Sequence, residues 1–341
     1  KGKNMLKVLK NRTLDELVNC FYTSKKRAVV LAQEDVTSLY AEMAPLIASN
    51  ETNSYMKKVI KNGDSVLAIA GAFDHLADMV LHGAKNIMAV DVNELQFPIC
   101  WLKYWSFCFF TSCRDYMDFI LNPTSKKMLD TDIMKSVLDF VPDGDMKEFW
   151  KRIYEQTSPL EIRRNYLYGE QKFIGSSEGR EMNYQYYRKD NFTKVKESLD
   201  STCIYLQNSN IFDIDFCGNF DVVHLSNIHN FMSESFTCSK LKALHDKLKP
   251  GAKVIIYCMG MRKCWFDIAK KGGTILPMDD LNWEFMNEQI FISVQSQIVT
   301  TMNIYRSMLE LFDSVEVIEV KTSKGMVMYN TGTDCVMVLT K

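Results

Sequence analysis

Between Ser65 and Gln96 the sequence SVLAIAGAFDHLADMVLHGAKNIMAVDVNELQ spells a strand, a tight turn, a helix and a second strand, and this unit constrains the rest of the 341-residue chain. Val66–Ala70 is a short apolar run, Gly71–Ala72 is a turn of small residues, Leu76, Met79 and Val80 recur near the helical period, and Ile87–Val90 is a second apolar run ending on Asp91. A unit of about 30 residues is what a right-handed βαβ crossover needs. Small residues in its turn let backbone N–H groups approach a ligand, and an acid at the tip of the second strand can accept both hydroxyls of a ribose. Ala70-Gly71-Ala72-Phe73-Asp74 carries one glycine where a dinucleotide fingerprint has three, so a nucleoside without a pyrophosphate is the expected ligand. The plainer reading is an ordinary βαβ unit with a tight turn and a surface Asp.

The length suits one α/β domain with an accessory helical part. A formal net charge of −1 gives no reason to expect bulk nucleic acid as a partner. The ten cysteines include no C-x-x-C pair, so neither a zinc nor a redox site is expected, and reduced thiols in a cytoplasmic protein fit best. No spanning helix is evident. The most apolar segment, Phe97–Phe110, is too short to cross a bilayer and contains Lys103; it reads as a helix against the sheet. Its Trp101, Tyr104, Trp105 and Phe109 leave open a site for a greasy substrate or a peripheral contact with a membrane surface.

Taken in order, residues 5–60 read mostly as helix: Thr13 and Glu16 form a capping-box pattern, and Val36–Ile47 and Tyr55–Ile60 have helical spacing. The acids of Gln33-Glu34-Asp35 either start a helix or reach over the pocket from a lid. Residues 111–200 read as a mostly helical insertion whose Glu161–Arg188 stretch interleaves tyrosines with arginines, as a solvated loop or a pocket wall would. Strands are expected at Thr202–Leu206, Phe220–Leu225, Lys253–Cys258, Ser314–Val320 and Cys335–Thr340. Asn208, Ser209 and Asn210 follow the first of these, and Ser226-Asn227-Ile228-His229-Asn230 follow the second, so both polar clusters belong at the sheet edge that carries Asp91. The organisation is then an N-terminal helical lid (1–60), two halves of a nucleoside-binding domain (61–110 and 201–341) and the insertion (111–200).

This order of elements, with Lys249-Pro250-Gly251 before the fifth strand and a terminal strand pair, resembles the class I S-adenosylmethionine (SAM)-dependent methyltransferase fold: a mostly parallel, seven-stranded Rossmann-like sheet with an antiparallel last strand. Within that superfamily the motifs are most similar to the 3-amino-3-carboxypropyl transferases typified by the betaine-lipid enzyme, which acts on diacylglycerol. The match lies in Gln33-Glu34-Asp35, Ala70-Gly71-Ala72-Phe73-Asp74, Asp91-Val92-Asn93-x-x-Gln96 and Leu225-Ser226-Asn227-Ile228. It departs at Glu94, where the lipid enzymes have Pro, and at Gln33, where they have an aromatic.

The resemblance implies SAM held by Gly71 and Ala72 at the amino-acid part, by Asp91 at the ribose hydroxyls, by Asn210 and Ile211 at adenine, and by Ser226 and Asn227 on the far side, with Ala70, Phe73, Val92, Asn93 and Gln96 as further cofactor-binding residues. It also implies a base drawn from Glu34, Asp35, Asp74 or His229, and an acceptor site reached by Arg163, Tyr184, Tyr187 or Arg188. The acceptor would be a small molecule or lipid, with aminocarboxypropyl transfer releasing methylthioadenosine. Methyl transfer and a SAM-fold protein without turnover are the alternatives.

Overall fold

Strands buried on both faces read as unbroken apolar runs, and the centre of this protein is built from such runs. The computed structural model describes residues 6–24, 40–49, 51–122, 125–167, 184–215, 218–275, 288–321 and 333–341. Its strands are β1 (Leu6–Leu9), β2 (Ser65–Ile69), β3 (Asn86–Asp91), β4 (Cys203–Asn208), β5 (Val222–His224), β6 (Lys253–Cys258), β7 (Ser314–Lys321) and β8 (Thr333–Thr340). They form one sheet in the order β1-β4-β3-β2-β5-β6-β8-β7. The strands from β1 to β6 pair in parallel, and β8 runs antiparallel between β6 and β7. This is the α/β Rossmann-like methyltransferase fold.

Side chains alternate between two cores. Val66, Ala68, Ile255, Tyr257, Val336 and Val338 face one, while Leu67, Val254, Ile256, Cys335, Met337 and Leu339 face the other. Helices Glu234–Lys247, Lys263–Lys270 and Glu288–Leu311 cover the second face. The first is covered by the helix Gln96–Phe109 and by the insertion, whose helices span Cys113–Ile120, Thr131–Phe140, Asp145–Gln156 and Lys189–Leu199.

Two expectations need correction. The sheet has eight strands, because residues 6–9, read as part of a helical region, form β1 and pair with β4. Only Leu6 of that strand is buried, so an edge strand this short leaves no apolar run to find. The stretch 43–47, read as helix, is irregular because its backbone partners are side chains: Met43 O accepts from Asn93 Nδ2 at 2.8 Å, and Gln96 bonds both Leu46 N–H (2.6 Å) and Leu46 O (2.8 Å). The helix Gln96–Phe109 packs against the sheet, as its apolar run led one to expect: Trp101 and Tyr104 are buried, and the Trp105 and Phe109 rings contact Phe140 of the insertion. No described helix is long and apolar enough to cross a membrane.

Candidate functional site

After β2 the chain adds β3 and β4 on one side and then returns to place β5 on the other. The carboxyl ends of β2, β3 and β5 therefore frame a crevice, the place where open α/β sheets bind ligands. A cleft of about 950 Å³, its open mouth included, lies there. At one end it is walled by Ser209, Asn210 and Ile211 after β4, and at the other by Ser226 and Asn227 after β5, with Gly71, Asp91 and Val92 between.

Asp91 and the glycine turn share one rim. Gly71 N–H donates to Asp91 Oδ2 at 3.3 Å, and Asn93 N–H donates to Oδ1 at 2.9 Å. The register that pairs Asp91 with Asn208 brings the second polar cluster alongside, and Asn208 Nδ2 donates to Asp91 O at 2.9 Å. Backbone conformation is unusual at this rim: Gly71 has φ +47°, Phe73 +74° and Ser226 +56°. Such positive values in residues with side chains cost on the order of 1–3 kcal/mol each and collect at ligand sites. Gly71 is further fixed by His75, since a Cβ at position 71 would lie 2.8 Å from His75 Cε1. His75 Nε2 is held in turn on Ile69 O, and its ring stacks on His224.

The sequence-derived candidates fall into distinct places. Gly71, Ala72, Asp91, Val92, Asn93, Gln96, Asn210, Ile211, Ser226 and Asn227 all line the cleft. Within that group, Asn93 and Gln96 have their side chains committed to the backbone of 43–46, so they hold the cleft's roof in place. Asn210 Oδ1 accepts from Phe212 N–H at 3.1 Å, which caps the turn that presents Ile211. Ala70 and Phe73 are buried, and the Phe73 ring turns into the core against Tyr104 and Phe107.

Two candidate bases are placed elsewhere. Asp74 is fully buried in an ion pair with Lys103 at 2.8 Å and also accepts from Ser49 N–H at 2.7 Å and from Tyr186 OH, which leaves it no open face toward the cleft. His229 is buried against the helix Glu288–Leu311, lining a separate small cavity with Thr300 and Thr301, and desolvation pushes its pKa down to about 4. Glu34 and Asp35 lie outside the described residues, as do Gln33 and 168–183 of the Tyr/Arg-rich stretch.

The described acceptor-site candidates do not line the cleft either. Tyr184 is buried, stacked on Tyr186, and donates to Ser49 O. Tyr187 O accepts from Cys113 Sγ, Arg188 is an exposed residue before the helix Lys189–Leu199, and Arg163 lies in a π-turn of the insertion.

Sequence reasoning missed Tyr40, Leu46, Glu51, His75 and Phe231, all of which line the cleft. Tyr40 and Phe231 meet ring to ring at 4.9 Å across its mouth. Glu51 is 2% exposed: Oε1 accepts from Ser226 OH, and Oε2 has no hydrogen-bond partner among the described residues. Burial lifts its pKa to about 7. The only sequence signal for Glu51 is its place in a polar run, Asn50-Glu51-Thr52-Asn53, between apolar stretches.

No protein-family model matches the chain, and no curated protein matches it. Solved structures align with it at low identity. A Nostoc punctiforme PCC 73102 protein provisionally described as an O-methyltransferase aligns at 12% identity over 96% of this chain and 67% of its own, with a TM-score of 0.40. The N-methyltransferase NodS of Bradyrhizobium japonicum WM9, in complex with S-adenosyl-l-homocysteine, aligns at 8% identity over 84% and 82%, with a TM-score of 0.33. A Bordetella parapertussis protein described as a candidate exported protein aligns at 6% identity over 85% of this chain and 66% of its own length, with a TM-score of 0.34. Likeness this weak adds nothing to the strand order and the cleft, which carry the site by themselves.

Proposed function

We propose that this chain is a SAM-dependent transferase. One observation carries the reading: a glycine turn after β2 and an acid after β3 share one rim of a cleft at the switch point of a parallel sheet, with Gly71 N–H on Asp91 Oδ2. A carboxylate at this rim, with its several lone-pair sites, suits the pair of hydroxyls of a ribose. Asn210 and Ile211 offer a polar edge and an apolar face suited to a purine, while Ser226, Asn227 and the backbone at Gly71 suit the amino-acid end. A cleft without the glycine-rich loop of a pyrophosphate site agrees with a nucleoside ligand. When bound, SAM supplies electrophilic carbons attached to a sulfonium.

The finer reading is transfer of the 3-amino-3-carboxypropyl group to a hydroxyl or amine, of a small molecule or a diacylglycerol-like lipid, with release of methylthioadenosine. Its support is the resemblance centred on Asp91-Val92-Asn93-x-x-Gln96. The roles found for Asn93 and Gln96 in tying down residues 43–46 give that motif a physical purpose: it closes the chain over the cleft. Methyl transfer is the second reading, favoured by a strand order that methyltransferases share.

Calorimetric titration with SAM tests the common part. The unaltered chain binds, and Asp91→Ala weakens binding roughly 10- to 100-fold, as expected for hydrogen bonds to a charged group; equal affinity would refute the reading. Chromatography of the nucleoside product then separates the finer readings, since methylthioadenosine marks the first and S-adenosylhomocysteine the second.

A further inference from the structure

Three residues of the segment that carries Glu51 are pinned. Ser49 N–H reaches Asp74 and Ser49 O receives Tyr184 OH; Thr52 N–H donates to Tyr257 OH at 2.9 Å; Tyr55 OH meets His224 Nε2 at 2.7 Å. Ser49, Glu51, Thr52, Asn53 and Tyr55 are all buried. The segment thus holds one carboxylate at the β5 end of the cleft, with one oxygen on Ser226 and the other unpartnered among the described residues. Burying a carboxylate oxygen without a donor is costly, and side chains kept in such a state concentrate at functional sites.

Among the described residues no neighbour supplies the missing N–H. His224 Nε2 is 3.8 Å from Oε2 and engaged with Tyr55, and His75 Nε2 is engaged with Ile69 O. The other titratable groups around Glu51 are Tyr55, Tyr257 and Asp334, with Asp91 across the cleft, and none of them is a cation. Burial keeps His224 and His75 neutral. Asp334 already accepts from Tyr257 OH and Gly260 N–H. With no donor for Oε2 among the described residues, a ligand in the cleft can supply one, and against a carboxylate a cationic N–H donor is favoured.

Position says which part of the ligand. Ser226 follows β5, two strands from β3, so Glu51 sits about 10 Å along the cleft from the strand that bears Asp91. A nucleoside gripped by its ribose at Asp91 presents its 5′ substituent in this direction. Of the two positive groups on SAM, the sulfonium has no N–H and the α-ammonium has three.

We propose that Glu51 is the cation receptor of the cleft, its Oε2 accepting from the α-ammonium of SAM, so that the cleft selects a ligand with a charged amino-acid tail over a neutral adenosine thioether. This assignment rests on the SAM reading above. It is tested by calorimetry with SAM and with methylthioadenosine, which lacks the amino-acid tail. The unaltered chain binds SAM the more tightly; Glu51→Gln weakens SAM binding roughly tenfold and leaves methylthioadenosine unchanged.

A second measurement needs no variant. With its pKa lifted to about 7, Glu51 carries a proton in part of the molecules near neutrality, and a cation beside it expels that proton, so SAM binding releases protons, read from the dependence of the heat on buffer ionisation enthalpy, while methylthioadenosine binding releases none. Equal weakening of both ligands in Glu51→Gln, or equal proton release, overturns the assignment. So does unchanged SAM affinity with lost turnover, which would make Glu51 a proton acceptor for the second substrate. Failure of the unaltered chain to bind either ligand would instead overturn the SAM reading, and this assignment with it.

Discussion

Lys103→Met is expected to destabilise the protein by about 3–5 kcal/mol. Lys103 projects from the apolar helix Gln96–Phe109 onto Asp74, in the first turn of the helix Asp74–Leu81, with Nζ 2.8 Å from Oδ1 and neither side chain more than 1% exposed. The carboxylate is otherwise satisfied by Ser49 N–H and Tyr186 OH, both neutral donors. Methionine keeps nearly all the apolar stem of the lysine, so little packing is lost. What remains is a buried carboxylate without a countercharge, and that penalty sets the magnitude. Equilibrium unfolding in urea, followed by circular dichroism and tryptophan fluorescence, measures it. Adding Asp74→Asn removes the stranded charge, so the double variant is more stable than the sum of the single losses predicts, with a coupling in the range of about 0.5–3 kcal/mol. A loss below about 1 kcal/mol in Lys103→Met, or strict additivity, would refute the view that this pair neutralises the core beneath the cleft.

Two further outcomes follow from the same geometry. Asp78 accepts from Gln185 and Tyr186 N–H, yet desolvation raises its pKa to about 8, so the folded state keeps a proton that the unfolded chain releases near pH 4. Stability from such a group is full at low pH and is lost as pH rises through the folded value. Buried His75, His224 and His229, whose folded pKa values are lowered, act oppositely only below about pH 6.5. Glu51, raised to about 7, adds to this with the same sign, so thermal unfolding should show the ligand-free protein losing on the order of 1–2 kcal/mol between pH 7 and 8, with Asp78→Asn reducing the slope; a flat profile in the unaltered protein contradicts this. Gln96→Leu removes both bonds to Leu46, and hydrogen exchange followed by mass spectrometry should find residues 40–49 opening by about 1–3 kcal/mol more readily while the sheet keeps its protection; unchanged exchange there would mean that Gln96 does not hold the roof.

The strands of the central sheet were legible because burial on both faces leaves uninterrupted apolar runs, and β6 is found at the residues its run marks, Lys253–Cys258. Position along a strand was equally readable: polar residues following β3, β4 and β5 had to arrive at one edge, and they line one cleft. β1 escaped because an edge strand with one buried residue has no such run. Residues 43–47 escaped because their backbone partners come from Asn93 and Gln96, some fifty positions away.

The acids mark the deeper limit. Asp74, in the glycine turn, and Glu51, in an unremarkable polar run, carry the same chemical group, and local sequence favours the first as the functional one. What separates them is the count of donors each receives from distant parts of the chain. Asp74 is saturated by Lys103, Tyr186 and Ser49, so its charge is spent on holding three segments together. Among the described residues Glu51 receives Ser226 alone, while contacts from Asp74, Tyr184, Tyr257 and His224 fix the segment around it. A carboxylate whose backbone is immobilised but whose second oxygen is unmatched has had its orientation determined and its partner omitted. That combination makes sense when the partner arrives with the ligand, so in this cleft the incomplete site, rather than the strongest ion pair, is where specificity is set.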